Sequence, residues 1–237
     1  MGSLLTLSLG EYRYVELALK LVVTLIGMMA VLLALSASGV AARFRLPLFL
    51  TAVALGGAAW FEYGVFDAWR DAFELAGTSY CVTGHLLDSE GRIIAWSLGV
   101  PAILFSFGLV RGASGRVVVS KRTLFLAAVA MAVVTPFSSA AGGALFCFLG
   151  VLLVIQVASA TAGKSSLYLA LASVASGMLL NAAGSHYSFG GGPEGELVRG
   201  EIVRSIIDLF SLVIPASLLL IGVPRLSQQE VEFTKSS

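Results

Sequence analysis

Nearly unbroken apolar stretches of about 20 residues recur along this chain, and that length crosses about 30 Å of hydrocarbon. The segment 21–37, for example, carries no charged residue. In lipid the backbone must satisfy its own hydrogen bonds, which leaves helices or closed barrels. Barrel strands would alternate polar and apolar residues, and these stretches do not alternate. Of the 237 residues, 57% are hydrophobic and 12% charged, against about 25% charged in a soluble domain. Folded in water, such a chain would expose far too much apolar surface. The expected class is therefore an all-α membrane protein.

The pattern predicts seven spans, at 13–37, 46–68, 92–110, 119–138, 142–161, 165–187 and 198–223. Together they make one seven-helix transmembrane domain, 1–228, followed by a short tail, 229–237. Most linkers are short; 69–91 and 188–197 are longer. The run Gly190-Gly191-Gly192-Pro193-Glu194-Gly195 reads as a turn-rich loop. Orientation follows from the basic residues. Arg43, Arg45, Arg111, Arg116, Lys121, Arg122, Lys164, Arg225 and Lys235 all fall on one side, shared by only two acids, Glu230 and Glu232. That side is the cytoplasmic one, so the N-terminus lies outside and the C-terminus inside. A multi-pass protein of the cell (plasma) membrane is expected, with the lipid bilayer as its first partner.

Other classes find little support. A net charge of +1 gives no electrostatic case for nucleic acid. Cys81 in a loop and Cys147 in an apolar run are not expected to pair. No cleavable leader is expected, because the first apolar run is long and follows Glu11, Arg13 and Glu16. There is no metal-ligand spacing, Ser/His/Asp arrangement, P-loop or dinucleotide fingerprint. No metal and no enzymatic activity are therefore expected. Gly142-Gly143 reads as a short outer turn, and His85 and His186 as loop or capping residues.

Charged groups within spans are costly and mark sites by default. Glu62 lies in the second span, Arg92 at the head of the third, and Arg204 and Asp208 in the seventh. Arg204 precedes Asp208 by one turn, so the two share a helix face. All four fall in the outer half, where they can form either a ligand or ion site or a buried ionic network that fixes packing. Lys20 in the first span has a stem long enough to snorkel to the outer interface. Small-residue runs such as Gly56-Gly57-Ala58-Ala59 point to close helix packing.

With these positions in view, the chain resembles the microbial, bacteriorhodopsin-like rhodopsins. Arg92-Ile93-Ile94-Ala95-Trp96-Ser97-Leu98-Gly99-Val100-Pro101 looks like that family's Arg-x-x-Asp-Trp-x-x-x-x-Pro signature, with Arg92, Trp96 and Pro101 in register. Asp208-Leu209-Phe210-Ser211-Leu212 looks like its Asp-x-x-x-Lys segment, with Asp208 in register. The resemblance implies a seven-helix bundle. It also implies that Leu212 stands where the family's lysine forms a Schiff base with retinal, and that Ala95 stands where its counterion and proton acceptor stands. Gly99 falls where many members carry a threonine. The aromatic clamp is reduced, since no Phe, Tyr or Trp occurs between Tyr168 and Tyr187.

Loss of amine and acid together is self-consistent, because either alone would leave an unpaired buried charge. The expected protein is a rhodopsin-like membrane module without covalent retinal. It would sense or engage a partner and would not pump ions. A homo-oligomer, a partner membrane protein or a non-covalent apolar ligand are the expected associates. The alternative is a retinal-binding photoreceptor or light-driven transporter attached through a non-standard amine such as Lys20. The old pocket is expected either to collapse around Val174, Gly177, Met178 and Asn181, or to stay open between Trp96, Phe105, Phe146 and Phe210. Asp208 is expected to pair with Arg92 or Arg204.

Overall fold

The computed structural model describes residues 5–85, 90–113 and 192–236. The expected spans 119–138, 142–161 and 165–187 lie outside these residues. So do Cys147, His186, Gly142-Gly143, Phe146 and the pocket positions of the sixth span. In chain order the described elements are β1 (Thr6–Ser8), α1 (Leu9–Ser38), α2 (Ala42–Ala72), β2 (Phe73–Ala76) and β3 (Ser79–Val82). Then follow α3 (Glu90–Ala113), α4 (Gly192–Asp208), a π-helical turn (Leu209–Val213) and α5 (Ile214–Ser236). Four of the described helical stretches are long and apolar enough to cross a membrane: Leu9–Ser38, Ala42–Ala72, Gly91–Val110 and Pro193–Gln229. They coincide with the first, second, third and seventh expected spans.

Both faces of these helices are apolar. On α1, Val15, Leu19, Val22, Ile26 and Leu33 are buried, while Leu17, Leu21, Met28, Val31 and Leu35 are exposed. The two sets interleave at helical spacing, so one face packs on protein and the other is left for lipid. The inner core joins Ile26, Leu33, Phe44, Leu48 and Leu55 to Ile103, Leu104, Ala216 and Leu219. A second core at the outer end joins Tyr12, Trp69, Phe73 and Val198. There Tyr12 stacks on Tyr80 with ring centroids 3.7 Å apart.

The helices outrun the apolar stretches. Helix α1 begins at Leu9 because Ser8-Leu9-Gly10-Glu11 forms a capping box: the Glu11 amide donates to Ser8 Oγ at 3.2 Å, and the Ser8 amide donates to Glu11 Oε2 at 2.9 Å. One expectation is corrected. Residues 192–195 are not a loop but the first turn of α4. Pro193 is tolerated there because first-turn N–H groups have no intrahelical acceptor, and Glu194 complements the helix dipole. The tail 229–237 is helical to Ser236, since nothing after Pro224 stops α5 and its polar residues are good helix formers.

The sequence reading also missed a three-stranded antiparallel sheet in the order β1-β3-β2. Strands β2 and β3 form a hairpin closed by Gly77-Thr78. Gly77 takes φ +67°, which a two-residue turn with glycine first requires. The N-terminal strand pairs with β3, Thr6 opposite Cys81 and Ser8 opposite Ser79. The segment before α1 and the linker after α2 are thereby at one end of the bundle. At the other end the Ala41 amide donates to Ser227 Oγ at 2.8 Å, tying the α1–α2 turn to α5.

In a background without Cys81 and Cys147, a cysteine at His85 should react with an impermeant reagent applied from outside. A cysteine at Ser38, exposed at the opposite end, should not react until the membrane is opened. The reverse pattern would overturn the orientation.

Candidate functional site

Four charged side chains from three helices meet in the outer half of the bundle. Arg92 enters from the first turn of α3, Glu62 from α2, and Glu201 and Asp208 from α4. All four are buried. The Arg92 Nη1 group donates to Glu201 Oε2 at 2.9 Å, and Nε lies 3.0 Å from Asp208 Oδ2. The Nε–H is not aimed at that oxygen, so the second contact is a charge contact and not a directed hydrogen bond. Nε also lies 3.8 Å from Glu62 Oε2. Asp208 accepts a 2.6 Å hydrogen bond at its other oxygen from Trp96 Nε1.

Helical periodicity explains the convergence. Arg92 and Trp96 are four residues apart on α3, and Glu201 and Asp208 are seven apart on α4, so each pair shares a face. Of the expected pairings, Arg92 with Asp208 forms. Arg204 does not reach Asp208. It pairs with Glu201, three residues earlier, and its side chain is 46% exposed. Glu201 already faces Arg92, and joining it lets the Arg204 stem lie towards the outer surface. Glu201 was missed in the sequence reading; its spacing of seven before Asp208 was the available signal.

One turn further inward the α4–α5 helix widens into its π turn. Pro215 accounts for it: proline has no N–H to return to the Ser211 carbonyl, and its ring crowds that carbonyl. Leu212 lies in this turn with none of its surface exposed. It is seated on Gly99 of α3 so closely that a Cβ at Gly99 would stand 2.5 Å from Leu212 Cδ2. Ala95 and Trp96 are buried on the same helix, and so is Pro101, one and a half turns inward of Ala95. Farther in, the Thr51 and Ser106 hydroxyls meet 2.8 Å apart, each 2.9 Å from the Pro47 carbonyl oxygen.

Other expected positions do not join the site. Lys20 turns to the outside, its ammonium 2.9 Å from Glu16 Oε1 and its side chain 53% exposed, as snorkelling predicts. Phe210, expected along an open pocket, faces outward and is 46% exposed. Its register is set by Asp208 and Leu212, which take the inner face two residues to either side. Small residues do pack closely: a Cβ at Gly57 would stand 3.3 Å from Leu98 Cδ1. Among the described residues no group of His, Cys, Asp and Glu has the arrangement to hold a metal ion.

No protein family and no curated protein matches the chain by sequence. Solved structures do match. Xanthorhodopsin, described as a light-driven ion pump with dual chromophore, aligns with TM-score 0.79 at 18% identity, over 96% of this chain and 99% of its own. Thermophilic rhodopsin aligns with TM-score 0.75 at 21% identity, over 96% and 99%. Halorhodopsin, a light-driven chloride pump, aligns with TM-score 0.63 at 18% identity, over 90% and 96%. The fold is that of the microbial rhodopsins, and the chain is a multi-pass membrane protein.

Removing one partner of a buried ion pair typically costs about 3–5 kcal/mol. Arg92→Ala should therefore lower the thermal unfolding temperature in detergent clearly, and adding Asp208→Asn should recover part of the loss. If Arg92→Ala unfolds at the wild-type temperature, Arg92 does not hold the helices together. A second measurement probes the contact beneath. Gly99→Ala should cost about 1–3 kcal/mol by overpacking. Leu212→Ala should cost about 2–5 kcal/mol by leaving a cavity. The double variant should lose less than the sum, because both act on one contact. Strict additivity would count against that contact.

Proposed function

We propose that this chain, whose fold is that of the microbial rhodopsins, is a retinal-free membrane module that senses or engages a partner and does not move ions with light. One observation carries this reading: Leu212 and Gly99 are in van der Waals contact at the level of the membrane where the resemblance calls for an amine and a hydroxyl. A Schiff base needs a lysine nitrogen, which leucine lacks. The neighbouring Ala95 has no side-chain carboxylate to accept a proton, and it is fully buried. Asp208 is engaged by Trp96 and Arg92, partners that need no retinylidene nitrogen. Leu212 and Ala95 thus offer neither the amine nor the acid that covalently bound retinal would need.

The second reading, a photoreceptor or ion transporter with retinal on Lys20, draws on the likeness to pumps such as xanthorhodopsin and halorhodopsin. The position of Lys20 argues against it. Its ammonium sits on the outer surface beside Glu16 and 5.6 Å from the centre of the Phe66 ring. Reaching the bundle interior would break that ion pair and drive the charge through α1. In the preferred reading the protein has no enzymatic activity. Its output passes through a second copy of itself or another membrane protein, with a non-covalent apolar ligand as a further associate.

The purified protein incubated with all-trans retinal should develop no visible absorption band beyond that of free retinal. Vesicles containing it should show no light-driven pH change that an uncoupler abolishes. A red-shifted band that survives washing, or a sustained uncoupler-sensitive pH change, would overturn the proposal. If either appears, Lys20→Ala tests the second reading directly: loss of the band supports attachment there.

A further inference from the structure

Among the described residues, the charges of the outer cluster do not balance. Glu62, Glu201 and Asp208 face two guanidinium groups, Arg92 and Arg204. Arg204 is bonded to Glu201 and half in solvent. Arg92 is committed to Glu201 through Nη1 and to Asp208 through Nε. Glu62 is left over. It is completely buried, and neither of its carboxyl oxygens has a hydrogen-bond partner. Its nearest cation is the Arg92 Nε at 3.8 Å, already closer to Asp208. Helix α1, also packed against α2, brings no compensating charge: Lys20 and Glu16 are paired with each other near the surface.

An ionised carboxylate in this position would be desolvated, without hydrogen bonds and beside two other carboxylates. Burying such a charge unpaired costs far more than keeping a neutral acid there. A metal ion is a poor solution, because the described acids are not arranged as a ligand set and the guanidinium stands among them. A proton needs no coordination shell. Towards the outer surface, Glu201 links Arg92 to the half-exposed Arg204.

We propose that Glu62 is a proton-binding site open to the outer side of the membrane, its carboxyl group carrying the proton that neutralises the Arg92 cluster. Loss of that proton leaves one uncompensated negative charge where α2, α3 and α4 meet. Arg92 is then drawn away from Asp208 towards Glu62, or α2 is pushed from α4. Either response converts external pH into a change in helix packing. The site is independent of the retinal question, and its failure would leave the retinal-free reading untouched.

Infrared difference spectroscopy on the protein in lipid vesicles tests the proposal. At neutral pH the wild type should show a carboxylic-acid C=O band that shifts in deuterated water. Glu62→Gln and the apolar Glu62→Met should lose it, while Glu16→Gln should keep it. Thermal unfolding gives a second readout that does not require the bands to be resolved. A folded state that holds one more proton than the unfolded chain loses stability as pH rises. The wild-type unfolding temperature should therefore fall from mildly acidic to alkaline pH, and Glu62→Gln, a neutral isostere, should flatten that fall. No band in the wild type, or a band unchanged in both Glu62 variants, would overturn the assignment. So would a band that appears only when sodium is replaced by a bulky organic cation, which would make the occupant a metal ion. If neither variant folds, an unfolding temperature of the wild type that does not fall with pH overturns it as well.

Discussion

Arg92 is the joint of the described bundle. It is one buried guanidinium at the head of α3, within 4 Å of carboxylates on α2 and α4. In an apolar environment a guanidinium must be matched by charge and by oriented acceptors. Arg92 can satisfy that need only if all three helices come to the same depth and rotation. The rest of the outer half follows from this arrangement: Trp96 is placed to donate to Asp208, and Glu201 to bridge Arg92 to Arg204 at the surface. Lipid supplies little force between helices, because its tails are as apolar as the side chains. Polar pairing and close packing therefore specify the bundle.

Beneath that joint, specificity passes to shape. Gly99 has no side chain, and Leu212 takes the space. The π turn that carries Leu212 follows from Pro215, three residues later in sequence. A leucine on a glycine is an apolar solution to a position that, in the resembling proteins, is chemical. The same backbone frame can thus carry quite different sites. Likeness of fold to light-driven pumps does not by itself transfer their activity.

The outer end combines both kinds of constraint. The three-stranded sheet ties the N-terminal strand to the hairpin after α2, and Tyr12, Trp69, Phe73 and Tyr80 pack beneath it. It covers the bundle near the cluster where Glu62 lies buried. Arg204 and Glu201 link that cluster to the surface.

Much was legible in the chain itself. Apolar runs of fixed length dictated membrane helices, because hydrocarbon thickness and backbone hydrogen bonding leave no other solution. The register of Arg92, Trp96 and Asp208 placed a polar site in the outer half and located Leu212 and Ala95, because these spacings are intrahelical and periodicity fixes them. Features that depend on one helix meeting another were legible only in part: the pairing of Arg92 with Asp208 was expected and forms, but others were not. Arg204 was a candidate for Asp208 by spacing alone, yet it pairs with Glu201, because Arg92 and Trp96 of α3 already engage Asp208. Lys20 and Glu62 are both charges within apolar spans; only packing puts one outside on Glu16 and the other inside without a hydrogen bond. The hairpin escaped because its strands are four residues each and are completed by a third from before α1. Local sequence determined which segments cross the membrane and which residues share a face. Tertiary structure decided which of those faces meet, because burial and pairing are properties of two surfaces and no single segment carries both.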